Sequence, residues 1–229
     1  MNAPTKPKLK IRKYRAEDRE QVRTICFETG YLGDTIAPIY SDRESFADMF
    51  SGYYTDVEPE TAFVVVSEAD DDTVKGYCLG CADTRKAWDP GKVGLKHALL
   101  RGLIFRPGTA GFLFRTIADV IRDGGVHRTK VDFDKYPAHM HTNLLPDARG
   151  GIGLRLHGAL IDDLRARGIR GAHTEISAEN ARTLAIAQKL GYKPLGEKFP
   201  VPGLRDPQGK RMHGMILGLD IDQVRTFSS

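Results

Sequence analysis

Residues 138–158 read AHMHTNLLPDARGGIGLRLHG, and Gly150, Gly151 and Gly153 stand just ahead of an amphipathic stretch. Three glycines this close let the backbone turn tightly and approach a ligand with no side chain in the way. A helix that begins there points its unpaired N–H groups and the positive end of its dipole at the turn. The chemistry on offer is the capture of an anion, a phosphate above all. The same glycines would also serve a plain strand-to-helix turn, since short glycine patterns match by chance. The elements around them decide between the two.

The helix after the turn is well marked. Ile152, Leu156, Leu160 and Leu164 recur every four residues, Ala159 widens the stripe, and Arg155, Asp162, Asp163, Arg165 and Arg167 fill the other face. Gly168 stands where a helix ends in a left-handed turn. Upstream, residues 9–14 predict a strand, and 17–30 and 42–53 predict helices. The β-branched run TAFVVVS at 61–67 predicts a buried strand. Asp70, Asp71 and Asp72 mark a turn into a strand over 74–82. Two helical segments fill 92–124, parted by Arg106, Pro107 and Gly108. Residues 137–145 form the strand that feeds the glycine turn. A strand over 171–177, a helix over 180–190 stopped by Gly191, a loop over 198–211 and a strand over 212–219 complete the pattern.

Composition sets wider limits. The chain has 229 residues, 41% of them hydrophobic, enough for a substantial core. No apolar run approaches the length of a bilayer span, so the expectation is no membrane. Residues 1–8 are basic with no apolar segment behind them, which predicts a disordered tail rather than a secretory signal. The net charge of +4 suits an anionic ligand, and no dense basic run interleaved with aromatics argues for nucleic acid. Cys78 and Cys81 have the C-x-x-C spacing of zinc and redox sites. They fall on a strand, where positions three apart face opposite ways, and no second pair completes a metal site. Three cysteines fit a reducing cytoplasm.

The order of elements, the glycine turn with its helix, the segment SAENARTLAIAQKLGY over 177–192 and the opening IRKYRAEDREQV together resemble the GNAT superfamily of acyl-CoA-dependent N-acetyltransferases. The resemblance covers residues 9–220. Within the superfamily, YPAHMHTNLLPDARGGIG is most similar to bacterial relatives of the acetyltransferase-like domain of O-GlcNAcases. It implies an α/β GNAT fold: a mixed central sheet with a splayed pair of parallel strands and helices on both faces, as one domain over 9–229. It further implies transfer of an acetyl group from acetyl-CoA to a primary amine of a small molecule or peptide, and leaves room for a homodimer. The pantetheine arm would pair with backbone near Asn143, Leu144 and Leu145, like an added strand. The pyrophosphate would lie on the N–H groups of Arg149, Gly150, Gly151, Ile152, Gly153 and Leu154. Asn180 matches the asparagine that bonds the cofactor arm, and it is equally a helix N-cap.

The chain departs from the family at three places. The first position of the glycine motif, a Gln or Arg in relatives, falls on Ala148, with Arg149 one residue late. The tyrosine that serves as general acid maps to Ala187, and the usual glutamate base maps to Pro137. Tyr192 falls where the family keeps a core aromatic. Other titratable groups stand close by. His139 and His141 share a strand face with Asn143, and a histidine can take the amine proton near neutral pH. His173 and Glu175 alternate on the neighbouring strand, making Glu175 a second candidate base. The loop with Tyr31, Asp34 and Tyr40 is the one that walls the acceptor pocket in this family, where Asp34 would bind a cationic amine. Because the oxyanion donor in the family is a backbone N–H, catalysis can survive the missing tyrosine. The alternative is a non-catalytic acyl-CoA-binding module, a pseudo-acetyltransferase.

Overall fold

In the computed structural model, which describes residues 8–70 and 72–224, the run of valines at 64–66 lies inside the sheet, one strand from its edge, buried on both faces. Strict alternation sends Phe63 and Val65 to one side and Val64 and Val66 to the other. The expected disordered tail lies mostly outside the described residues. In chain order the main elements are β1 (Leu9–Lys13), α1 (Arg19–Glu28), α2 (Arg43–Ala47), α3 (Tyr53–Asp56), β2 (Ala62–Ser67), β3 (Thr73–Cys81), α4 (Pro90–Leu100) and α5 (Thr109–Arg122). Then follow β4 (Ala138–Leu144), α6 (Ile152–Ala166), β5 (Gly171–Ser177), α7 (Ala181–Leu190), β6 (Lys193–Pro194), β7 (Phe199–Arg205) and β8 (Arg211–Asp220).

The strands form one sheet in the order β1-β2-β3-β4-β5-β8-β6, with β7 also on β8. Every pairing is antiparallel except that of β4 with β5. This is the GNAT fold, with its parallel pair at the centre. On one face α6 and α7 cover a core around Leu156, Leu160 and Leu164. Burial of each of these leucines is worth about 1.5–3 kcal/mol. On the other face the core gathers around Val22, Ile25, Phe27, Phe46, Tyr77 and Leu79. The buried Arg23 ties α1 to Glu44 of α2 at 2.6 Å and to Asp48 just after it at 2.5 Å.

One sequence expectation is overturned. Residues 198–211 contain β7, not only a loop. Pro200, Pro202 and Gly203 are punctuation in a sequence, yet β7 lies at an edge of the sheet, where a residue without an N–H is tolerated. Its ladder with β8 shifts register between Pro200 and Arg205, which absorbs the prolines.

Candidate functional site

The parallel pair holds together only at its start. Ala138 faces Ala172 and His139 faces His173, and no further ladder joins β4 to β5 among the described residues. Beyond that point β4 pairs with β3 and β5 with β8, so each strand turns one unpaired edge toward the other. The side chain of Thr174 gives the last bridge, its Oγ1 donating to the carbonyl of Met140 at 3.3 Å. The result is a cleft between two strands of one sheet.

Hydrogen-bond alternation decides which backbone groups face that cleft. The N–H of Leu145 donates to Lys75 in the direction of β3 at 2.9 Å. In an antiparallel ladder residues two apart point alike, so Asn143 also turns its N–H to β3. Leu144 and Thr142 turn theirs the other way. Of the three residues expected to pair with a cofactor arm, the structure therefore presents Leu144, and adds Thr142. Sequence could have found this division only with the β3 register in hand.

At the end of β4 the chain passes Pro146 and enters the glycine turn. Gly150 and Gly151 have φ of +129° and +113°, a region that favours glycine. A Cβ built on Gly151 would meet nothing within 4 Å. Gly153 lies in the first turn of α6, with Leu144 and Ile186 close beside it. Neither Ile152 nor Gly153 has an intrahelical acceptor for its N–H, as at any helix start. Leu154 donates back to the carbonyl of Gly151 at 3.2 Å.

Arg149 folds away from the turn. Its Nη2 donates to the carbonyl of Gly33 at 2.6 Å and its Nε to Leu144 at 3.3 Å. Arg182, at the start of α7, is its neighbour. Burial first, and the charge of Arg182 second, hold the Arg149 guanidinium below its ordinary range, with Asp34 pulling the other way. Among the described residues neither arginine forms a salt bridge. Two cations thus converge beside Gly33. Arg182 carries no sequence signal of its own, because it meets Arg149 only through the packing of α7 on α6.

The cleft mouth carries the titratable residues. The rings of His139 and His173 lie 5.6 Å apart on one side of the sheet. His141 and Glu175, two residues further along each strand, therefore face that same side from opposite walls. His139 is locked, its Nε2 against the Tyr54 hydroxyl at 2.7 Å and its Nδ1 against Thr84 Oγ1 at 2.8 Å. Burial pushes it down to about 3. His141 is engaged at one nitrogen only, Nδ1 lying 2.8 Å from the carbonyl of Phe50. A carbonyl only accepts, so Nδ1 carries the proton and Nε2 keeps its lone pair. Burial pushes His141 down to about 4, which leaves it neutral at pH 7. Phe50 sits in a π-helical turn, Asp48–Gly52, between α2 and α3. Its position 91 residues from His141 is why no local pattern pointed to it.

Glu175 pairs with Arg128 at 2.6 Å. Burial raises its carboxyl above the usual range while Arg128 opposes the rise. Asn180 caps α7, its Oδ1 accepting from the N–H of Thr183 at 3.1 Å. Ala187 is buried in the core. Tyr192 is buried too, its hydroxyl donating to Met140 Sδ at 3.0 Å, and burial pushes its phenol far up. Tyr31 and Asp34 exchange backbone bonds of 2.8 Å. The Tyr31 hydroxyl donates to Arg205 at 2.7 Å, and Asp34 is exposed. Their loop spans from the glycine turn to β7. Behind it a hollow of about 280 Å³ is lined by Tyr31, Ile39, Arg115 and Arg205.

No family model matches the chain. The fold is similar to that of SsHAT, with 27% identity and a TM-score of 0.63 over 94% of this chain and 99% of that one. It is also similar to a GNAT superfamily phosphinothricin acetyltransferase from Sinorhizobium meliloti in complex with acetyl-CoA, at 16% identity and a TM-score of 0.55 over 93% and 88% of the two chains. A third similar structure is the C-terminal condensation domain of Ebony in complex with beta-alanyl-dopamine, at 15% identity and a TM-score of 0.56 over 93% and 99%.

Proposed function

We propose that this chain is an acetyl-CoA-dependent N-acetyltransferase acting on a primary amine, with residues 9–229 as one domain. The observation that carries the reading is the parting of β4 from β5 beside a helix start opened by Gly150, Gly151 and Gly153. The solved acetyltransferase with bound acetyl-CoA shares this fold. The residues present fit the cofactor. Thr142 and the N–H of Leu144 offer unpaired main-chain groups along the cleft for the pantetheine arm, the Leu144 carbonyl being held by Arg149. The N–H groups of Gly151, Ile152 and Gly153 suit a pyrophosphate. The Asn180 amide nitrogen supports a further contact, since only its oxygen is used in the cap. Bound there, acetyl-CoA supplies an acetyl group activated as a thioester.

His141 takes the amine proton at Nε2, directly or through a water, with the Phe50 carbonyl holding its tautomer. Glu175 on the facing wall is the second candidate for that proton. Tyr31 and Asp34 shape the acceptor side. Within the fold, the finer likeness to relatives of the acetyltransferase-like domain of O-GlcNAcases rests on residues 136–153.

One observation favours a second reading. Ala187 fills the core where relatives carry an acidic tyrosine, and the buried Tyr192 does not replace it. A binding module without turnover would look the same at these two positions. The test is thiol release from acetyl-CoA with a panel of amines, run beside thermal unfolding with CoA. Release with any amine supports the enzyme. A CoA shift without release assigns the module, and neither result with millimolar ligand refutes both.

A further inference from the structure

Helix α5 turns Phe112 and Leu113 to the core and buries Asp119, which accepts from Arg205 at 2.7 Å. Its opposite side is apolar as well. Phe114, Ile117 and Ile121 are 69%, 57% and 75% exposed, at the i, i+3, i+7 spacing of one helix face. Helix α4 repeats the arrangement. Its inward side meets the π-helical turn, with Gly94 close on Met49 and His97 Nε2 2.8 Å from Asp48. Its outward side presents Leu95, Leu99 and Leu100. The turn Leu103–Phe105 touches both helices, anchored by the buried Leu103, and exposes Ile104 and Phe105.

Eight large apolar side chains more than half exposed, at roughly 150–200 Å² apiece, present on the order of 1,000 Å². The largest apolar patch on an ordinary monomer is about 300–600 Å². The charge around this surface indicates the occupant, because it is one-sided. From Pro90 to Ala118 the sequence holds Lys92, Lys96, Arg101, Arg106 and Arg115 and no aspartate or glutamate. Lys92 and Lys96 have no carboxylate partner among the described residues, and Arg115 donates only to the Gly203 carbonyl. Arg101 and Arg106 share one carboxylate, the buried Asp42. A second copy of this face would set like charges against each other. An anionic bilayer meets both features. Its acyl boundary takes the leucines and phenylalanines, and its head groups take cations whose long stems reach out beside an apolar stripe. Trp88, 43% exposed just ahead of α4, is the residue type that favours the bilayer–water boundary. No helix among the described residues is long and apolar enough to cross a bilayer, so the fit is to a surface and not to a span.

We propose that α4 and α5 dock this protein on an anionic lipid bilayer, with Leu99, Phe105 and Ile117 entering the acyl boundary and Lys92, Lys96 and Arg115 meeting head-group phosphates. The test is flotation of the full chain with vesicles of phosphatidylcholine alone and of phosphatidylcholine mixed with phosphatidylglycerol. Trp88, the single tryptophan of the chain, reports insertion by a blue shift of its fluorescence. The parent should bind the mixed vesicles, bind the neutral ones at least tenfold more weakly, and be released by high salt. Lys92→Gln combined with Lys96→Gln should weaken binding about 30-fold. Leu99→Glu and Ile117→Glu should each weaken it at least tenfold. These side chains are exposed, so circular dichroism should confirm that the variants fold. No binding to the mixed vesicles at millimolar lipid overturns the proposal. So does binding that all the folded variants retain, or that neutral vesicles match. A parent that sediments as a dimer undone by Leu99→Glu gives the face to a second copy and overturns it as well.

Discussion

Replacing Gly151 with valine separates the cradle from the scaffold that holds it. The φ of +113° at this position strains any L side chain, at a cost of about 1–3 kcal/mol. A Cβ there meets nothing within 4 Å, so no clash adds to the strain. For a chain of this length each kcal/mol moves Tm by about 2–4 °C, so the variant should melt roughly 2–12 °C below the parent and remain folded. CoA at about 100 times its Kd should stabilise the parent by about 2.7 kcal/mol, an upward shift of roughly 5–10 °C. In the variant the branched side chain stands before the N–H groups of Ile152 and Gly153, and that shift should vanish. Scanning fluorimetry with and without CoA, with titration calorimetry for affinity, reads both numbers. Gly153→Val is the companion. Its Cβ would lie 3.2 Å from Leu144 Cδ1 and 3.6 Å from Ile186 Cδ1, so packing as well as ligand binding should suffer. A folded Gly151→Val protein that binds CoA as tightly as the parent would refute the placement of the pyrophosphate.

Three further outcomes are expected. If His141 is the base, kcat/KM expressed per neutral amine should stay flat down to about pH 5 and fall with a midpoint near 4, not near the 6.5 of a free imidazole; His141→Ala should slow turnover by about 10² with CoA affinity unchanged, whereas slow Glu175→Gln beside fast His141→Ala would move the base to β5. Stability should rise with pH between about 4 and 6.5: His139 and His141 have folded pKa values below their unfolded one, so the unfolded chain binds more protons in that window, and urea midpoints at pH 5 and 7.5 compare the two ends. Asp119→Asn should destabilise the protein by about 3 kcal/mol in denaturant titrations, because Arg205 loses the carboxylate that compensates it; an unchanged midpoint would show that the ion pair does not anchor α5.

What the sequence by itself determined is local. Gly150, Gly151 and Gly153 opened a helix, Leu156, Leu160 and Leu164 gave it a core face, Asn180 began α7, and Gly191 ended it. Each follows from the conformational range or hydrogen bonding of residues within one or two turns, which a single chain spells out directly. The position of His141 and Glu175 on one face of one strand each was legible in the same way, through alternation. That the two strands part after His139 and His173, leaving those residues on facing walls, was decided by β3 and β8 drawing them apart. The tautomer of His141 was decided by a carbonyl 91 residues away. The prolines of 198–211 read as a loop until β8 supplied an edge that tolerates them. The apolar stripe of α5 is plain in the sequence, but its direction is not. A stripe is expected to face inward, but Phe112 and Leu113 took the core side of the helix, and Asp119 meets Gly203 and Arg205 of β7, more than eighty residues distant, leaving the stripe outward.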